Sequence, residues 1–184
     1  MKAALFDEIK HLSFVEKDVP EIEAHEVLIQ VMTAGICGSE VHAYIGTHPF
    51  RKPPSILGHE IVGKIVRAGE SVGNLHVGDL VTVEPHVGCG ECEPCLDGRY
   101  NLCKEKTVLG TQKWDGGFAE YMKAPEQAVY KMPDSIAPHL AVLAEPLAVG
   151  VHAVNVADVK EGDKVAILGS GPIGLLTAVA AHYK

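Results

Sequence analysis

Four cysteines crowd into one short stretch, CGECEPCLDGRYNLC, running from Cys89 through Cys92 and Cys95 to Cys103. The spacing is C-x2-C-x2-C-x7-C, and Gly90, Pro94 and Gly98 supply the turns that bend so tight a loop. Tetrahedral zinc takes four thiolates at about 2.3 Å, and short loops of this kind deliver them to one point. Burial as small apolar residues accounts for one cysteine but not for four on this spacing. A redox dithiol is disfavoured, because nothing thioredoxin-like surrounds the C-x-x-C pairs. With every donor supplied by protein the site is closed, so it staples a loop and does no chemistry.

A second set of donors is scattered. Cys37 lies in GICGSEVH just past a strand-like run, His59 and Glu60 lie in GHE just before another, and Glu145 precedes Pro146 in LAEPLAVG. The residue before proline is biased out of helix and proline favours the first helical turn, so Glu145 marks a helix start. One Cys, one His and one or two Glu are what a catalytic zinc accepts while keeping a position open for water or substrate. Each residue also has a plainer reading, a buried cysteine or a hydrogen-bonded loop histidine.

A third motif closes the chain, KVAILGSGPIGLLTAVAAHYK. Val165–Leu168 reads as a short buried strand, Gly169, Gly171 and Gly174 as a tight turn, and Leu175–Ala181 as an apolar helix. This is G-x-G-x-x-G in the strand–turn–helix setting where helix N-terminal amides cradle a pyrophosphate. The acid that grips the ribose falls roughly 20 residues further on, past Lys184.

The elements that must carry these residues change character along the chain. EVLIQVMTAGI, EIVGKIVRAG, DLVTVEP, GGFAEYMKAP and AVYKM are β-rich runs punctuated by Gly, Asn and Pro. From Asp134 onward Ala and Leu recur at helical spacing. The expected fold is mainly β: a barrel-like domain over residues 1–145, then a connecting helix and the start of an α/β domain over 146–184. A hydrophobic share of 47% with 22% charged suits a soluble globular chain of 184 residues. The net charge of −8, with no basic stripe, argues against a nucleic-acid partner. No uninterrupted apolar run reaches the roughly 18 residues of a membrane span, so no membrane partner is expected. The start MKAALFDEIKHL lacks a secretory h-region, and five cysteines are an odd number for a disulfide framework. A cytoplasmic location is expected.

In this order, GICGSEVH, GHE, the cysteine-rich loop, GGFAEY, AEPLAVGVHAV and GSGPIG resemble the zinc-dependent medium-chain alcohol dehydrogenases. Their polyol branch, the sorbitol, threonine and butanediol dehydrogenases, is the most similar. The resemblance covers nearly the whole chain. It implies a GroES-like barrel catalytic domain followed by the first βα unit of a Rossmann domain that binds NAD or NADP. It implies that Cys37, His59 and Glu60 ligate a catalytic zinc, with Glu145 where polyol dehydrogenases carry a glutamate. It implies a structural zinc on Cys89, Cys92, Cys95 and Cys103, and a proton relay through Ser39 and His42. Charge argues for one Glu in direct contact, since Cys37, Glu60 and Glu145 bound together as anions would leave a net negative site. Glu60 is favoured, with Glu145 reached through water. One position departs: Glu40 stands where the family has Asp supporting the zinc-bound His, one methylene longer.

The implied activity is hydride transfer from a small secondary alcohol or polyol to nicotinamide. The alternative is a stand-alone zinc-bearing GroES-like module without turnover, and the incomplete dinucleotide motif leads us to expect little turnover from residues 1–184 alone. Self-association through the C-terminal segment is expected. Tyr44 and Trp114 are candidates to line a substrate pocket, alongside the plainer reading of partly buried aromatics.

Overall fold

Val and Ile recur through the first part of the chain where a pleated surface can bury them. There the computed structural model, which describes residues 1–184, is built from antiparallel strands. In order they are β1 (Lys2–Glu8), β2 (His11–Glu16), β3 (Glu26–Ala34), β4 (Ser55–Ile56), β5 (Ile61–Ala68), β6 (Leu80–Val83), β7 (His86–Val87), β8 (Thr107–Val108), β9 (Tyr121–Pro125) and β10 (Val129–Lys131). Five of them form one sheet in the order β10-β6-β5-β3-β9, three form another as β2-β1-β4, and β7 pairs with β8. The helices are α1 (Gly38–Tyr44), α2 (Glu93–Leu96), α3 (Pro138–Ala141), α4 (Ala144–Val156) and α5 (Pro172–His182). The chain divides into two compact units, Met1–Val142 and Leu143–Lys184. The division therefore falls before Glu145 rather than after it.

In the first unit β3 is the spine, paired with β5 on one side and β9 on the other. Its register against β5 shifts twice, at Leu28/Ile29 and at Val31/Thr33. Such bulges bend a strand and increase its twist, which lets a five-stranded sheet curl. The main core gathers on this sheet from Val27, Ile29, Ile61, Ile65, Val81 and Met122.

A smaller cluster matters more for the site. Phe6 of β1, Ala43 of α1 and Leu57 are buried together, with Phe118 against them. The loop Ile56–Gly58 is also clamped by backbone bonds from Gly116 to Ile56 (2.7 Å), Phe118 to Leu57 (3.0 Å) and Gly117 to Gly58 (2.9 Å). Truncating Leu57 would leave a cavity between α1 and this loop. Leu57→Ala is expected to lower stability by about 2–5 kcal/mol in a denaturant titration; a loss under about 1 kcal/mol would show that the cluster collapses around the gap.

In the second unit α4 packs against α5. The helix expected over Leu175–Ala181 is present within α5, but Val165–Leu168 is not a strand. A strand exists only through a ladder partner, and no segment of residues 1–184 pairs with this one, leaving Leu168 fully exposed. One further difference concerns Pro138–Val156, which is apolar and long enough for a membrane span by length and composition alone. It is interrupted between α3 and α4 and carries His139, Glu145 and Pro146.

Candidate metal centre

Cys37 is the N-cap residue of α1, in extended conformation, where the chain leaves β3 and turns into helix. Glu40, at the third helical position, reaches back so that its Oε2 accepts the Cys37 backbone N–H at 3.0 Å. This is half of a capping box, and it explains locally why the helix starts here. The other carboxylate oxygen does different work. Oε1 of Glu40 lies 2.6 Å from Nδ1 of His59. Glu40 and His59 are both buried, at 3% and 7% exposure.

A carboxylate on Nδ1 keeps a proton there, so Nε2 is the ring nitrogen that would offer its lone pair to a metal once the ring has given up its second proton. Donor atoms of Cys37, Glu40 and His59 all lie within 4.8 Å of one another, and those of His59 and Glu60 meet the same limit. Glu60 fits because its neighbour across the strand end is Gly35; a Cβ there would collide with the Glu60 carboxylate. Burial pulls the His59 pKa down, but hydrogen bonds with Cys37 and Glu40 outweigh it and push it up to about 9. The hydrogen bond from His59 in turn lowers the Cys37 thiol pKa, against the opposing pull of burial. For Glu40 burial acts upward and is outweighed by His59 and Arg51, so its carboxyl sits below the usual range. These groups stabilise a thiolate beside an oriented imidazole, with a carboxylate adjacent. That donor set fits a zinc ion. The extra methylene of Glu40, relative to Asp, therefore lets one side chain hold both Cys37 and His59.

Ser39 and His42 sit on the same helix. The Ser39 hydroxyl is buried beside the Cys37 thiol, whose pKa it helps to lower, whereas His42 is exposed with Nδ1 3.0 Å from Thr47 Oγ1.

The four-cysteine loop hangs from the β7–β8 pair. Cys89, Cys92, Cys95 and Cys103 converge, with donor atoms within 4.8 Å of one another and no disulfide among them. Backbone N–H groups of Glu91 and Cys92 point at the Cys89 sulfur and hold its thiol at about 7. Cys92 receives the Cys95 amide, yet burial and its three thiol neighbours push it up to about 12. Four thiolates cannot coexist at this distance without a cation, and amides aimed at sulfur are what a thiolate metal site needs.

Glu145 is the second residue of α4, in the second unit. There too Gly169 turns at φ 112°, Gly171 is the N-cap of α5 and Gly174 lies in its first turn. Trp114 does not line a pocket: it is core, 8% exposed, and its Nε1 donates to the Lys123 carbonyl at 2.8 Å. Tyr44 spends its hydroxyl on the Lys10 carbonyl at 2.6 Å. Sequence reasoning missed Arg51, a buried guanidinium beside Glu40 and His59. No motif spacing announces it.

Known proteins resemble this chain over nearly its whole length. Sorbitol dehydrogenase of Bacillus subtilis is 44% identical over 185 residues, covering 98% of this chain and 52% of the relative. A zinc-type alcohol dehydrogenase-like protein of Haemophilus influenzae is 41% identical over 182 residues, covering 98% and 53%. Among solved structures, an Escherichia coli alcohol dehydrogenase complexed with NADH superposes with a TM-score of 0.89 at 40% identity, covering 96% of this chain and 51% of that one. The chain thus spans about half the length of the relatives it matches. Residues 23–134, more than half of the chain, match the alcohol dehydrogenase GroES-like domain family, and the chain belongs to it.

Proposed function

We propose that this chain is the catalytic-domain portion of a zinc-dependent, NAD(P)-linked alcohol or polyol dehydrogenase, of cytoplasmic location. The reaction is hydride transfer from a small secondary alcohol or polyol to nicotinamide. One observation carries the reading: Glu40 holds His59 at Nδ1, and donor atoms of Cys37 and His59 lie within 4.8 Å of one another, as do those of His59 and Glu60. Cys37, His59 and Glu60 would hold the catalytic zinc, with Glu145 in reserve through water. Cys89, Cys92, Cys95 and Cys103 would hold the structural one. A zinc ion bound by the first set would make an alcohol hydroxyl in its open position easier to deprotonate. Ser39 would accept that proton and the exposed His42 would pass it to solvent. The Gly169–Gly174 turn would offer α5 amides to the dinucleotide pyrophosphate.

A second reading is a zinc-bearing module without turnover. Protein purified without chelator should carry about two zinc ions per chain, falling to about one in Cys37→Ser. A wild-type value near one, with Cys37 freely alkylated, would remove the catalytic site. Assaying the same protein with NAD and NADP against an alcohol and polyol panel separates the two readings.

A further inference from the structure

Arg51 is a cation at 5% exposure. Its Nη1 donates to the carbonyls of Leu109 (2.6 Å) and Gly110 (2.9 Å) and lies 3.9 Å from Glu40 Oε1. Its Nη2 lies 3.4 Å from His59 Nδ1. That nitrogen already donates to Glu40, so the second approach is packing of one donor against another around a shared acceptor. The guanidinium thus bridges the Glu40–His59 pair to a corner of the barrel.

That corner is built to be rigid. Leu109 is fully buried and its N–H donates to the Pro85 carbonyl at 2.9 Å. Gly110 donates to the Trp114 carbonyl at 2.8 Å, and Trp114 is itself locked in the core through Lys123. Gly110 has φ +76°, and a Cβ on it would collide with Nη1 of Arg51. Both the turn and the seat of the guanidinium require glycine.

We propose that Arg51 is a positioning residue of the metal centre: anchored by Nη1 on Leu109–Gly110, its charge 3.9 Å from Glu40 Oε1 holds that carboxylate, and through it the His59 ring, in place. The inference rests on the reading of Cys37 and His59 as metal ligands. Shape matters as well as charge, because a lysine ammonium has one nitrogen and cannot sit on the two carbonyls while a second nitrogen lies beside the His59 ring.

The test uses the full chain with zinc left in the four-cysteine loop and Co2+ loaded at the other site. Wild type should show a cobalt–thiolate band that Cys37→Ser abolishes; if it shows none, the metal reading itself fails. Arg51→Met is expected to shift the visible bands and weaken Co2+ affinity by about 10–100-fold. Arg51→Lys should restore the charge but not the bands. Gly110→Ala, which keeps the guanidinium and disturbs its seat, should move the same bands, and its effect should not add to that of Arg51→Met. Wild-type bands and affinity in either Arg51→Met or Gly110→Ala, whichever folds, would overturn the proposal, even if the melting temperature had dropped.

Discussion

Cys92→Ser is expected to open the loop between Gly88 and Lys106 to trypsin while the barrel stays resistant. The loop has almost no core of its own. Leu96, Tyr100 and Leu102 are 74%, 39% and 55% exposed, and of its cysteines only Cys103 is buried. Its regular structure is one turn of α2 and a 3-10 turn at Tyr100–Leu102, both too short to stand alone. What remains is the convergence of four sulfurs, so on the proposed reading the loop's stability would be the binding energy of an ion held between them. Structural zinc contributes about 10–16 kcal/mol in zinc-finger peptides. Losing even about 3 kcal/mol of that raises the open population roughly 100-fold. Arg99 and Lys104 are exposed cleavage sites inside the loop. Cleavage there should accelerate by about that factor in Cys92→Ser or on chelation, and not in Cys37→Ser. Equal resistance in Cys92→Ser and wild type would refute a metal-stapled loop.

Glu40→Ala is expected to be the most damaging single change near Cys37. It deletes the acceptor for the Cys37 amide and for His59 Nδ1, and removes a carboxylate 3.9 Å from Arg51. Breaking a buried charge pair by removing one partner costs about 3–5 kcal/mol. In a chain of this size that lowers the melting temperature by about 10 °C. Glu40→Asp keeps the charge but is one methylene short of reaching both partners, so it should recover only part of the loss. Melting the two variants with and without metal measures this. A Glu40→Ala protein melting within about 2 °C of wild type would show that water replaces the carboxylate.

The parts of this protein legible in its sequence are those fixed by neighbours along the chain. The cysteines from Cys89 to Cys103 meet because turns within the same short loop bring them together. The β-branched runs became β3, β5 and β6 because residues with stiff χ1 angles pack well on a pleated surface wherever that surface ends up. Helix α5 follows from Pro172 after Gly171 and the apolar residues behind them. The β1–β2 hairpin was not legible: Ile9, Leu12 and Phe14 are exposed, so its sequence shows no clean inside–outside alternation. Val165–Leu168 looks like a strand by composition, yet a strand needs a partner, which composition cannot provide.

The geometry around Cys37 and His59 belongs to tertiary structure. Cys37 and His59 meet only because α1 docks on β1 through Ala43, Phe6 and Leu57. Glu40 could be read from sequence as a departure, but only the fold shows one carboxylate spanning the Cys37 amide and the His59 ring. Arg51, Gly110 and Trp114 acquired their roles the same way. A lone arginine, a glycine and an aromatic carry no spacing signal, and the fold alone decides that a buried cation beside the imidazole rests on a left-handed turn whose amide donates to the backbone of a core tryptophan. Spacing encodes contacts within a turn or a loop, whereas contacts between distant segments are selected by which packing buries the most surface with every polar group paired.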